Sequence, residues 1–194
     1  MSIERPGEST SERWYALQVQ SRHERMVSTI AHGKGYEEFF PVYESRRRWS
    51  DRFKSVECAL FPGYVFCRLD ARYRLPLLTI PGALRFVGVG NVPEPIDDDE
   101  IDAIRTATSS GLSAEPWPFL VAGQRVRLQE GPLAGMEGLL VEVRKRWRVI
   151  VSVTLLQRSV AVEIEREWVK PLNASGCPIP MQVLRAPAAG FQPI

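Results

Sequence analysis

The stretch Leu60-Phe61-Pro62-Gly63-Tyr64-Val65-Phe66 constrains this chain more than any other. Pro62 fixes its own φ and Gly63 tolerates positive φ, so the backbone bends there before it runs extended. From Tyr64 the side chains alternate, which puts Tyr64 and Phe66 on one face of a strand and Val65 and Cys67 on the other. Two readings follow. Either all the rings are core, or one face serves the core while the other shows two rings to a partner.

Bulk properties narrow the function classes. At 194 residues the chain can form one large domain or two small ones, each with a real core. Its 25 basic and 23 acidic residues leave a net charge of only +2. No global field therefore pulls it onto nucleic acid, and polyanion binding must come from local patches. There is no apolar run long enough for a membrane span, and MSIERPGESTSER lacks the apolar core of a signal peptide. Cys58, Cys67 and Cys177, without a C-x-x-C, make neither a disulfide framework nor a zinc site. A soluble, cytoplasmic protein is expected, with no membrane contact.

The first half mixes strand and helix signals. Residues 13–19 (RWYALQV) read as a strand. Ser21 with Glu24 reads as a capping box, followed by Met26, Val27 and Ile30 at helical spacing, with Gly33 and Gly35 as the stop. Residues 36–43 (YEEFFPVY) form a second strand, interrupted by Pro41. Residues 44–57 (ESRRRWSDRFKSVE) read as an exposed hairpin in which Arg46, Arg47, Arg48, Trp49 and Arg52 interleave charge with an aromatic ring. That pattern suits phosphate contact with base stacking, and equally a solvated face. A short helical piece around residues 73–79, a strand at 83–89 and a helix opened by Asp97 and Glu100, burying Ile101 and Ile104, complete a compact α+β sandwich.

Residues 109–120 (SSGLSAEPWPFL) have no period and read as a linker. Beyond them only strands are signalled, at 124–128, 139–143, 149–153 and 160–164, which suggests a small barrel. Gly131, Pro132, Gly135 and Gly138 crowd one loop between the first two, where the backbone needs positive φ or close approach. The last residues, 173–194, hold four prolines and few large apolar groups, and read as a disordered tail.

Catalytic chemistry is not signalled. No glycine-rich loop carries a phosphate-binding Lys-Ser/Thr, and His23 and His32 have neither a cysteine nucleophile nor a ligand cluster. The acidic run at 97–100 suits a helix N-terminus without a metal. The chain is expected not to be an enzyme, and to hold no cofactor and no metal.

LFPGYVF, followed by GPLAGMEG at the opening of an all-β region and preceded by Trp14-Tyr15, resembles the NusG family of transcription elongation factors. The resemblance spans residues 13–172. It implies a disordered N-terminus (1–12), a NusG N-terminal α/β sandwich (13–110), a linker (111–120), a small all-β SH3-like KOW barrel (121–172) and the tail. It further implies that Phe61, Tyr64 and Phe66 fall in the apolar concavity that binds the clamp helices of RNA polymerase, which fits the reading of Tyr64 and Phe66 as facing out. Bridging the polymerase cleft favours the elongating state and suppresses pausing and termination, with no covalent chemistry. In specialised members such as RfaH, LoaP and UpxY, residues near the start of the first helix touch non-template DNA. Arg22, His23 and Arg25 stand at the matching positions here, for non-template DNA or nascent RNA. The KOW loop that recruits Rho or a small-subunit ribosomal protein matches Leu155, Leu156 and Arg158. Gln157 replaces a common glycine there, which counts against Rho. In RfaH the second domain refolds as a helical hairpin, whereas the valine-rich alternation here implies a constitutive barrel. A monomeric, specialised antiterminator is the reading that results. Two others stand beside it: a KOW-containing ribosomal or RNA-binding protein, which would be far more basic, and an adaptor without effect on transcription.

Overall fold

The structure is a computed structural model that describes residues 12–49, 52–118, 124–143, 146–165 and 168–171. The expected tail and all but the last residue of the expected disordered N-terminus lie outside these. The chain falls into two compact units, one from Met1–Val42 and Phe61–Ile101, the other from Tyr43–Leu60 and Asp102–Ile194. Both strands and helices are present, in keeping with the α+β class. No helix among the described residues is long and apolar enough to cross a membrane.

In the first unit β1 (Arg13–Val19) leads through a tight turn into α1 (Glu24–Gly33), and β2 (Glu37–Phe39) follows. Pro41 ends β2 instead of merely weakening it, since a proline there can donate nothing to the ladder. β3 (Val42–Trp49) and β4 (Arg52–Ala59), which apart from Val42 fall in the second unit, pair as a separate two-stranded sheet, the hairpin expected. β5 (Tyr64–Leu69), a 3₁₀ turn (Ala71–Tyr73), α2 (Leu75–Leu78) and β6 (Ala83–Phe86) come next. The short β7 (Gly88–Val89) and β8 (Val92–Pro93) precede α3 (Asp98–Ser109), of which Asp98–Ile101 belongs to this unit and the rest to the second.

The main sheet runs in the order β2-β5-β1-β6, all antiparallel. On one of its faces Tyr15, Leu17, Val19, Val65, Cys67 and Leu69 pack with Val27 and Ala31 of α1 and Leu77 of α2. The opposite face of β1 and β5 is closed too. Trp14 is 2% exposed, and Ala16 and Phe66 not at all. Trp14 bridges to Ile96 just ahead of α3, and Arg68 reaches Asp98 in the helix's first turn at 3.6 Å. A sheet covered on both faces explains why β1 is apolar without alternation from Trp14 to Leu17.

One local expectation fails. α1 is not opened by a Ser21–Glu24 capping box: His23 is the N-cap, with no side-chain cap bond. Glu24 is buried and spends its carboxylate elsewhere, on the Gly63 N–H. A partner 39 residues away in sequence is invisible to a local motif.

The second unit carries β9 (Ala114–Pro118), β10 (Gln124–Leu128), β11 (Glu137–Val143), β12 (Arg146–Val153), a 3₁₀ turn (Thr154–Leu156), β13 (Arg158–Ile164) and β14 (Val169–Pro171). β10 to β13 form an antiparallel meander and β14 returns to pair with β10. The ladders run β14-β10-β11-β12-β13-β9, and none among the described residues joins the two ends. Val126, Leu128, Leu140, Val149, Val160 and Val162 are fully buried, as the valine alternation requires. The linker expected at 111–120 is corrected by β9, which pairs along β13 from Val162↔Ala114 to Arg158↔Pro118. Two prolines disguise it, because proline in a strand is tolerated only at an edge.

Candidate functional site

The Pro-Gly stretch is a turn of type II form: Gly63 has φ +84° and Tyr64 N–H donates to Phe61 C=O at 3.1 Å. It is tied at two further points. Val19 N–H donates to Gly63 C=O at 2.9 Å, and Gly63 N–H donates to Glu24 Oε1 at 2.9 Å. One turn thus locks the end of β1, the start of α1 and the start of β5 together. A charged acceptor strengthens such a bond well beyond a neutral one.

The expectation that Tyr64 and Phe66 both face a partner is half corrected. Phe61 and Phe66 are 1% and 0% exposed, packed edge-to-face at 5.3 Å, with Phe39 a further 6.2 Å from Phe66. Alternation placed Tyr64 and Phe66 on one face correctly, but the lid over the Phe66 end is supplied by distant sequence. Only Tyr64 of the three is partly exposed. It stands in a row across three strands, Tyr64–Gln18–Arg85, with Arg85 Nε donating to Gln18 Oε1 at 2.9 Å. Gln18 and Arg85 were missed in the sequence. The signal was there: Gln18 is the one polar residue in the otherwise apolar second half of β1.

Beside this row lies the turn before α1. Arg22 adopts φ +68°, a left-handed conformation costly for a side chain, and is exposed, as is Arg25. Arg25 also lies 5.9 Å from the Phe40 ring centroid. The half-buried His23 sits over Gly82, where an added Cβ would lie 3.0 Å from the imidazole, and its Nδ1 is 3.2 Å from Ser21 C=O. Gln20 N–H donates to Gly82 C=O, so the 20–25 turn is braced by the next one. The structure therefore brings Tyr64, Gln18 and Arg85 together with Arg22, His23 and Arg25 through the shared Glu24–Gly63 bond. The candidate side chains Arg46, Arg47, Arg48, Trp49 and Arg52 lie outside the described residues, although their backbone is that of β3 and β4.

In the second unit the glycine loop has a structural role. Gly138 has no room for a side chain: a Cβ would lie 2.5 Å from Val149 Cγ1 and 2.7 Å from Ile150 C=O. Gly131 is likewise pressed against the Trp168 ring, while Leu133 and Met136 fill the core beneath. Pro132 and Gly135 complete the turn, with Gly135 N–H donating to Leu128 C=O at 2.7 Å. At the far end of the meander Leu155 and Leu156 are half-buried and Arg158 is exposed. Between them Gln157 takes φ +52°, the conformation for which glycine is the natural residue.

Burial, with help from Glu38, pushes the Cys67 thiol up to about 12, so it stays protonated. Ser28 donates to Glu38 at 2.5 Å and His32 lies 3.9 Å from the same carboxylate, so the serine and histidine address Glu38 and not each other.

Known proteins resemble this chain over most of its length. The family model described as NusG, transcription termination factor nusG, matches residues 12–105. A transcription termination/antitermination protein NusG from Vibrio parahaemolyticus is 33% identical over 181 residues, covering 86% of this chain and 99% of that one. The Pseudomonas aeruginosa protein of that name is 32% identical over 169 residues, covering 80% and 96%. Among solved structures, one of Thermotoga maritima NusG, described by its domain interaction, matches with a TM-score of 0.47 at 21% identity over 81% of this chain and 96% of that one. With a third of its residues shared along almost the whole of such relatives, this chain belongs to the NusG family of transcription factors.

Proposed function

We propose that the chain is an elongation factor that binds RNA polymerase through the Tyr64 end of its first sheet and suppresses pausing and termination. The observation that carries this reading is the row Tyr64–Gln18–Arg85, a half-exposed ring flanked by polar groups on a rigid sheet, beside exposed Arg22 and Arg25. Tyr64 supplies an amphipathic contact for an apolar helix face on the polymerase clamp. Phe61 and Phe66 hold it from beneath and do not touch the partner. Arg22 and Arg25 neutralise phosphates of the non-template strand or nascent RNA near that contact, and His23 lies between them in contact with the same strand. In the second unit Leu155, Leu156 and Arg158 offer a small docking surface for a further partner, a termination factor or a ribosomal protein. Gln157 and the basic β3–β4 hairpin favour a specialised antiterminator. Preferential binding to the closed polymerase is enough to change pausing, since a ligand shifts an equilibrium by its difference in affinity for the two states.

The test is a single-round transcription assay on a template with one strong pause. Wild type shortens the pause. Tyr64→Ala abolishes the effect with the fold intact, and Arg22→Ala/Arg25→Ala weakens it in a salt-dependent way. If both variants shorten the pause as wild type does, the proposed surface is wrong.

A further inference from the structure

The segment 113–118 has the composition of a linker yet behaves as the last strand of a sheet, and the phase of its hydrogen bonds is informative. Glu163 N–H donates to Ser113 C=O at 3.3 Å. In an antiparallel ladder the mutually bonded pairs recur at every second residue. With the register Val162↔Ala114, Val160↔Pro116 and Arg158↔Pro118, the bonded pairs are 163/113, 161/115 and 159/117. Residues 114, 116 and 118 then turn their backbone polar groups away from β13, onto the outer edge, with which no strand among the described residues pairs. Two of those three are proline, which has no N–H. The prolines take nothing from the ladder with β13 and remove donors only from the outer edge.

The other side of the strand is anchored. Trp117 packs on Val141, Ile150 and Ala161, and the Arg148 guanidinium lies 5.2 Å from its ring centroid. Glu115 is ion-paired to the same Arg148. These contacts alternate with the prolines, so holding the strand and blanking its edge are assigned to different residues.

We infer that β9 is a terminator strand, which occupies the β13 edge and presents an edge with too few donors to accept a strand from a second copy of this chain. An antiparallel β9–β9 contact centred on residue 116 would form about six backbone bonds with ordinary residues at these positions, and about two with proline at 116 and 118. The inference is independent of the polymerase reading, because it concerns only the second unit's sheet.

The experiment restores the donors in the full chain with Pro116→Thr/Pro118→Thr, and measures mass by light scattering across a hundredfold range of concentration. Amide exchange is read on the same samples, with Glu163 protection reporting that β9 is still docked. The expected result is that wild type keeps one mass, whereas the variant self-associates at least tenfold more tightly. The amides introduced at 116 and 118 then become protected as concentration rises. A docked variant that keeps the wild-type mass throughout overturns the inference. So does self-association in which the introduced amides stay unprotected, since another surface is then responsible. If the double variant loses Glu163 protection, the prolines hold the strand instead of blanking its edge, which also overturns it. Pro116→Thr alone gives the intermediate association expected from one restored donor per copy.

Discussion

Two loops in this chain combine glycine with proline, and they require glycine for different reasons. At the first, Gly63 has φ +84° and open space around it, the nearest atom to an added Cβ being Val19 C=O at 3.8 Å. Its requirement is conformational, and its N–H is held by Glu24. At the second, Gly138 has no positive φ but lies against β12, so its requirement is space. The same residue type is thus a hinge setting in one unit and a packing surface in the other. The comparison extends to their aromatic neighbours: the first loop buries Phe61 and Phe66 and leaves Tyr64 half-buried, whereas Gly131 of the second is pressed against the half-buried Trp168 ring.

The largest effect is expected where the first loop meets the core. Phe66→Ala removes a fully buried ring packed on two others, and loses about 3–5 kcal/mol of stability by chemical denaturation. Tyr64→Ala, on the same face, loses well under half of that. Equal losses would erase the distinction between supporting and contacting rings.

The glycines come next. Gly138→Ala drives a methyl group into β12 and loses about 1–3 kcal/mol. Gly63→Ala loses about 1–2 kcal/mol through its left-handed φ. Asparagine separates the two mechanisms, because it visits that conformation readily. Gly63→Asn recovers most of the loss, and Gly138→Asn is worse than Gly138→Ala. Thermal melts of the four variants check this.

A smaller effect appears only at alkaline pH. Cys67 is raised in the folded state from 9.0 to about 12, so folding favours the protonated thiol. Its contribution is fully present below pH 9 and is lost as pH rises toward 12. Wild type therefore loses stability between those values more steeply than Cys67→Ala, in denaturant titrations at stepped pH. The smallest effect has the opposite sign: Gln157→Gly relieves a left-handed side chain and stabilises by up to about 1 kcal/mol.

Much of this was legible in advance because it is local. The β1 strand, Val27 in the α1 stripe, the break at Pro41 and the valine alternation of β12 and β13 all follow from spacing within a few residues. Met26, expected in the same stripe, is instead 39% exposed, and Ala31 is buried in its place. What was missed depends on partners far along the chain. Glu24 looked like a cap and bonds to Gly63 instead, Phe66 looked exposed until the far side of its sheet was covered, and β9 looked like a linker because its prolines are compatible with only one edge. The candidate site was half legible. Alternation found Tyr64, but Gln18 and Arg85 join it only through a three-strand register.

The most direct test of the account is co-elution of the full chain with core RNA polymerase, comparing wild type with Tyr64→Ala. Wild type is predicted to co-elute, and Tyr64→Ala to bind at least tenfold more weakly while melting within a few degrees of wild type. A folded Tyr64→Ala chain that co-elutes as wild type does would contradict the claim that the Tyr64 end of the sheet is the polymerase contact.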